Sequence, residues 1–254
     1  LFKLDGFLEW TDGKVRVATP RILSIDPGGR FVVEKRLPGT SLLRRLPKLK
    51  GEPRRTALTR FVAGAEFASR FSLPEPPYGH VLASGPLHAD SWTGFLQASL
   101  DRAIARNRAT IAGEVGNVDA LRAAALALLP AVPDRPPKTL IHGDYFPGNV
   151  LMDDSLEVSG LVDFSEYTLI GDPGYDILTA PIFLEMIDEA DADDVLLAEH
   201  TARTRYRGDA RAAAFYRAHA AFVMADPGYG LPPYPRLYPW AIANLKQLAE
   251  GEID

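Results

Sequence analysis

The sequence predicts an α+β fold, with a small β-rich first part and a mostly helical remainder. Three observations predict it. Residues 19–25 and 30–34 are two strand-like runs around the turn signal Asp26-Pro27-Gly28-Gly29. Residues 149–152 and 156–162 form a second such pair around the polar run Asp153-Asp154-Ser155. Most of the remaining chain carries the apolar spacing of helices.

In chain order, Leu1-Phe2-Lys3-Leu4 reads as the tail of a strand. Thr11-Asp12-Gly13-Lys14 reads as a loop after a helix end, with a turn between two strands as the alternative. In the hairpin over 19–34 the glycines serve a turn, since they do not stand between a strand and a helix as a phosphate cradle would. Thr40 or Ser41 caps a short helix that ends before Pro47. Leu58, Phe61, Val62, Ala65, Phe67 and Ala68 give 53–71 a helical stripe, ended by the prolines at 74–77. Trp92, Phe95, Leu96 and Leu100 repeat at i, i+3, i+4 and i+8, as a helix facing a core does. Asn117 to Leu129 is a helix stopped by Pro130, and the proline-rich stretch 133–137 leads into the strand that ends at Ile141. Further helices are expected around 177–187, 195–205, 210–224 and 235–249. Between the first two lies the acidic run 188–194. It reads as a solvated turn with helix-start carboxylates, the alternative being an acidic wall for a cationic substrate.

Composition narrows the function classes. The chain has 254 residues, 46% hydrophobic and 24% charged, enough for one large domain or two lobes. A net charge of −5 argues against generic nucleic-acid binding. There is no cysteine, which excludes disulfides and thiolate metal sites and fits a cytoplasmic enzyme. The five scattered histidines make no zinc pattern, and His80 and His88 read as loop residues. No apolar run approaches a membrane span, so neither a membrane nor a nucleic acid is an expected partner. The chain opens on Leu1 rather than Met, which leaves a leader open. Oligomeric state has no signature.

The chemistry concentrates in 139–176. His142-Gly143-Asp144 is followed by Asn149 five positions after the aspartate, and Asp163-Phe164 closes the apolar run Leu161-Val162. Phosphoryl transfer needs a carboxylate to orient the attacking hydroxyl and oxygen ligands for a cation on the phosphates. A hairpin over 149–162 brings its ends together, so Asn149 and Asp163 form a plausible Mg²⁺ site, with Asp144 beside them. His142 reads as fixing its loop by hydrogen bonding. Asp176, after Pro173, reads as a carboxylate bonding the free N–H groups of a helix start.

HGDxxPxN over 142–149, the strand ending in Asp163-Phe164, and GDPxxD over 171–176 together resemble the aminoglycoside phosphotransferase and choline kinase family. The likeness is strongest over 139–180 and extends more weakly from about residue 19 onward. It implies a protein-kinase-like two-lobed fold. Residues 1–36 would be an N-lobe remnant with the hinge, incomplete because the family's glycine-rich strands are missing from this sequence. Residues 37–254 would be the helical C-lobe. It also implies ATP and Mg²⁺ as cofactors and a small-molecule hydroxyl as acceptor. Asp144 would be the base, and Asn149 and Asp163 the metal ligands. Lys3 resembles the family's phosphate-binding lysine, although the residues alone allow a surface lysine; Glu9 is the nearest partner for it. Backbone groups near Lys35 and Arg36 would read adenine at the hinge. Glu166 and Tyr167 would face the acceptor. Tyr78-Gly79-His80 and Ser91-Trp92 resemble a loop and a helix start of bacterial members. Many relatives carry a histidine where this chain has Ser69-Arg70-Phe71. The rival readings are a kinase-like scaffold without chemistry and a protein kinase; glycine at 143 and the lack of an A-P-E segment count against the second.

Overall fold

The computed structural model of the chain describes residues 17–28, 30–231 and 235–253. Turn chemistry builds its first element. Asp26 accepts the N–H of Gly28 and pairs with Arg30 at 2.9 Å, closing the loop between antiparallel strands β1 (Ile22–Ile25) and β2 (Val32–Glu34). The expected hairpin is therefore present, with shorter strands. Gly29 and the readings made on Leu1–Leu4, Lys3, Glu9 and Thr11–Lys14 lie outside the described residues.

After β3 (Thr40–Ser41), helix α1 (Leu42–Arg45) stops ahead of Pro47, as expected, but the Ser41 side chain does not cap it, and a 3₁₀ turn over Leu46–Lys48 follows directly. Pro53 stands third in α2 (Gly51–Gly64), where its missing N–H has no helical partner to lose. The single helix expected over 53–71 is in fact two, α2 and α3 (Glu66–Ser69), separated at Ala65. The stretch expected as a loop at 78–80 is instead strand β4 (Tyr78–His80), held between β5 (His88–Ala89) and a later strand. Ser91 caps α4 (Trp92–Glu114) by accepting the Gly94 N–H at 3.1 Å, and Asn117 caps α5 (Val118–Leu128) through Ala120 at 3.0 Å. Then come β6 (Thr139–Ile141), β7 (Val150–Met152), β8 (Val158–Leu161) and β9 (Leu169–Gly171). The chain finishes with α6 (Tyr175–Glu185), α7 (Ala192–Arg205), α8 (Ala212–Met224) and α9 (Leu237–Glu250).

Two small antiparallel sheets position the site. One has the order β3-β7-β8 and the other β5-β4-β9-β6. Ile141 pairs with Leu169, so the loop leaving β6 and the loop entering β9 meet at one end of their sheet. Val150 pairs with Leu161, so the β7–β8 hairpin brings its open end to the same place. The helical part packs behind. Trp92, Phe95, Leu96 and Leu100 are buried as their spacing predicted, each contributing about 1.5–3 kcal/mol by removal from water. The Trp92 indole N–H donates to the Tyr216 hydroxyl, tying α4 to α8.

The acidic run becomes a helix start. Asp191 and Asp194 exchange side-chain-to-backbone bonds in a capping box at α7, and Asp194 pairs with Arg54 of α2. Among the described residues, no helix is long and apolar enough to cross a membrane.

Candidate active site

The His142–Gly148 loop is shaped by three residues. Gly143 has φ +78°, and a Cβ there would lie 1.8 Å from the Tyr167 carbonyl oxygen, so no larger residue fits. Asp176, in the first turn of α6, accepts the N–H groups of His142 (2.8 Å) and Gly143 (3.0 Å). The expectation that Asp176 bonds free N–H groups holds, but those groups belong to this loop and not to its own helix. His142 is fully buried; its Nε2–H donates to the Val162 carbonyl at 2.9 Å, and its ring packs on Phe164. Burial keeps the imidazole below its usual pKa and hence neutral at pH 7, a strut between the two loops.

The structure brings Asp144, Asn149 and Asp163 together. The Val162 N–H reaches the Asn149 carbonyl, one step past the β7–β8 ladder, so Asp163 follows directly beside Asn149. Asp163 then adopts φ +64°, a left-handed conformation that aspartate tolerates better than most side chains. The Asn149 amide N–H group donates to the backbone and to the carboxylate of Asp144, both at 3.0 Å. That leaves the Asn149 carbonyl oxygen turned away from Asp144. Burial, then repulsion from Asp163, raises the Asp144 pKa to about 6 against the pull of Asn149. A carboxylate so tuned can accept a proton near neutral pH.

Asp144, Asn149 and Asp163 line a cavity of about 530 Å³ between the two loops and helices α4 and α8. Glu166 and Tyr167 line it too, and the Tyr167 hydroxyl meets that of Tyr229 at 3.1 Å. The sequence reading missed the wall opposite, including Arg102, Arg106, Phe146, Tyr175 and Tyr229. Phe146 and Tyr175 stand inside the two motifs at positions the motifs leave open, Arg102 and Arg106 lie beyond the apolar stripe that ended at Leu100, and Tyr229 comes from a distant segment. None of residues 188–194 lines the cavity, which removes the acidic-wall alternative. His80 belongs to β4 and packs edge-on against Phe95. At the expected hinge, the Lys35 N–H is already held by the Arg21 carbonyl at 2.7 Å. This corrects the N–H part of the expectation for Lys35: that group continues the β1–β2 pairing and is not open to adenine.

A cation has a chemically suitable place here. One carboxylate and one amide oxygen are hard ligands, and Mg²⁺ takes few protein ligands when substrate phosphates and water complete its shell. Among the described residues no cluster of three or more His, Cys, Asp or Glu could hold a metal by itself.

A family model described as the phosphotransferase enzyme family matches residues 5–216. Among solved structures, the chain is similar to a thermostable mutant of the aminoglycoside phosphotransferase APH(4)-Ia in ternary complex with AMP-PNP and hygromycin B. The TM-score is 0.71 at 16% identity, over 98% of this chain and 82% of that one. It is also similar to an aminoglycoside-3'-phosphotransferase of type VIII, with TM-score 0.59, 19% identity, and 87% and 79% of the two chains covered. The macrolide 2'-phosphotransferase MphH from Brachybacterium faecium, an apoenzyme, matches with TM-score 0.56, 15% identity, and 96% and 78% covered. No curated protein matches. At these identities the likeness is one of fold: the protein-kinase-like α+β fold that the motifs implied.

Proposed function

The chain belongs to the phosphotransferase enzyme family, and on that premise we propose that it moves the γ-phosphoryl group of ATP to a hydroxyl of a small molecule. The observation that carries this reading is the convergence of Asp144, Asn149 and Asp163 at one hairpin end, facing a cavity of about 530 Å³. The AMP-PNP in the APH(4)-Ia complex supports ATP as the donor. The nucleotide would lie between the N-terminal part, residues 1–36, and the helical part, residues 37–254. Arg36 would offer its backbone to adenine, and Lys3 would hold phosphate.

Each residue then has a task. Asp144 orients the acceptor hydroxyl and takes its proton as the oxygen attacks the γ-phosphorus and ADP leaves. The Asn149 amide fixes the carboxylate that does this. Asn149 and Asp163 would hold Mg²⁺, which supplies positive charge where phosphate oxygens gather negative charge. Glu166 and Tyr167, which line the same cavity, would face the acceptor.

The test is Asp144→Asn. Shape and hydrogen bonding are nearly kept, and the proton acceptor is lost. Single-turnover transfer to an acceptor found by panel screening should slow by about 10²-fold or more. The Kd for Mg-ATP should hold, because Asp144 faces the acceptor. Transfer at the parent rate would remove Asp144 from catalysis.

A further inference from the structure

Beyond the catalytic aspartates, about half of the cavity wall is apolar or aromatic, with Phe95, Leu96, Phe146, Phe183 and Val223, and Ser84, Ser99 and Asn107 interrupt it. Its charges are few. Among the described residues, and apart from Asp144 and Asp163, it is lined by one carboxylate, Glu166, against two guanidinium groups, Arg102 and Arg106. His80 and His219 also line it. Burial lowers the pKa of both, that of His219 to about 4, so neither adds positive charge at neutral pH.

The two arginines stand one turn apart on α4, on the face that borders the cavity. Nearby acids are engaged elsewhere: Asp101 with Arg122 at 2.6 Å, and Asp119 with Arg108 at 3.0 Å. The Arg102 guanidinium donates to the Gly85 carbonyl at 2.8 Å and has no acidic partner among the described residues. Arg106 has neither an ion pair nor a side-chain hydrogen bond among them.

We infer that the acceptor is a hydroxyl compound with an apolar body and one anionic group, such as a carboxylate, received by Arg102 and Arg106. This deepens the phosphotransferase reading and rests on it. A polycationic aminoglycoside would meet two arginines of like charge and would have to bring ammonium groups against apolar walls. An amphiphilic anion suits both features.

The probe is 1-anilinonaphthalene-8-sulfonate, an apolar body with one sulfonate, followed by its fluorescence; neutral Nile red is the control. The doubly substituted Arg102→Glu, Arg106→Glu protein should bind the sulfonate at least about tenfold more weakly, with a gap that narrows as salt is raised. Nile red should bind both proteins alike, and kanamycin should not displace the sulfonate. Val223→Phe, which narrows the cavity, should weaken both dyes. Equal sulfonate affinity in parent and double variant would overturn the inference. So would displacement by kanamycin, or sulfonate binding indifferent to Val223→Phe. Mg-ATP titration of the parent separates the two levels. If nucleotide binds and the dye ignores the arginines, only the acceptor class falls. If the dye behaves as expected and nucleotide does not bind, the phosphotransferase reading falls and takes the acceptor assignment with it.

Discussion

Asp144 belongs to the His142–Gly148 loop and Asp176 clamps that loop from α6, and burial raises the pKa of each: to about 6 for Asp144 and about 7 for Asp176. By that measure Asp176 is the more perturbed, yet its surroundings are those of a structural group. Its two oxygens are occupied by the N–H groups of His142 and Gly143. Asp172, in the same GDPxxD segment, is held more fully still, by the Gly174 N–H and the hydroxyls of Tyr206 and Tyr216. Asp144 has one side-chain donor, Asn149, and faces open volume. A raised pKa therefore does not separate the working carboxylate from the supporting one. Unused hydrogen-bonding capacity beside a cavity does.

That contrast predicts different failures. The largest effect should come from the working side. Asp163→Ala removes the only carboxylate of the proposed cation site and should cost transfer about 10³-fold, several kcal/mol of transition-state stabilisation. Mg-ATP binding should weaken sharply while the fold survives. Asn149→Ala should do less, since an amide oxygen carries no net charge. Isothermal titration with Mg-ATP measures both, and a normal titration for Asp163→Ala would displace the metal site from this hairpin end.

On the supporting side, Asp176→Ala leaves two loop N–H groups without an acceptor. That should cost about 2–4 kcal/mol of folding stability, read by denaturant unfolding. Transfer should fall as well, because the loop that holds Asp144 loosens, while the Kd for Mg-ATP moves less. An Asp176→Ala protein as stable as the parent would mean that the clamp is not what holds the loop.

The same contrast explains what was legible in the sequence. Asp144, Asn149 and Asp163 lie within twenty residues joined by one hairpin, so spacing and turn residues alone brought them together. The hairpin of 22–34 and the helices after Asp176 were legible for the same local reasons, within a few residues at each end. The partners of Asp172 and Asp176 were not, because Tyr206, Tyr216 and the His142 backbone meet them only through tertiary packing. The strand at Tyr78–His80 was missed since three residues carry little pattern and β9 supplies its pairing. The acidic run was ambiguous because composition cannot tell a capping box from a binding wall; Arg54, 140 residues from Asp194, decides it.

The smallest effect is the one most specific to Asp144, and it concerns stability. The folded pKa of about 6 lies above the ordinary value of 3.8. A carboxyl raised in this way contributes its full stability below pH 3.8 and loses it as pH rises through 6, because ionising it in place opposes burial and the charge of Asp163. At pH 8 the parent bears that cost, and Asp144→Asn does not. The variant that loses catalysis should therefore be more stable at pH 8, by about 1–2 kcal/mol, with the gap closing as pH falls through 6 toward 4. Asp176 titrates in both proteins and enters the difference only through the charge of Asp144, the smallest of the causes that raise its pKa. Saturating Mg-ATP should leave the gap in place, because a Kd shared by the two proteins stabilises both equally. Thermal unfolding of both proteins from pH 4 to pH 8, with and without nucleotide, measures this. A gap that is absent at pH 8, or that persists unchanged at pH 4, would mean that Asp144 carries no electrostatic burden, and the difference drawn between it and Asp176 would then rest on hydrogen bonding alone.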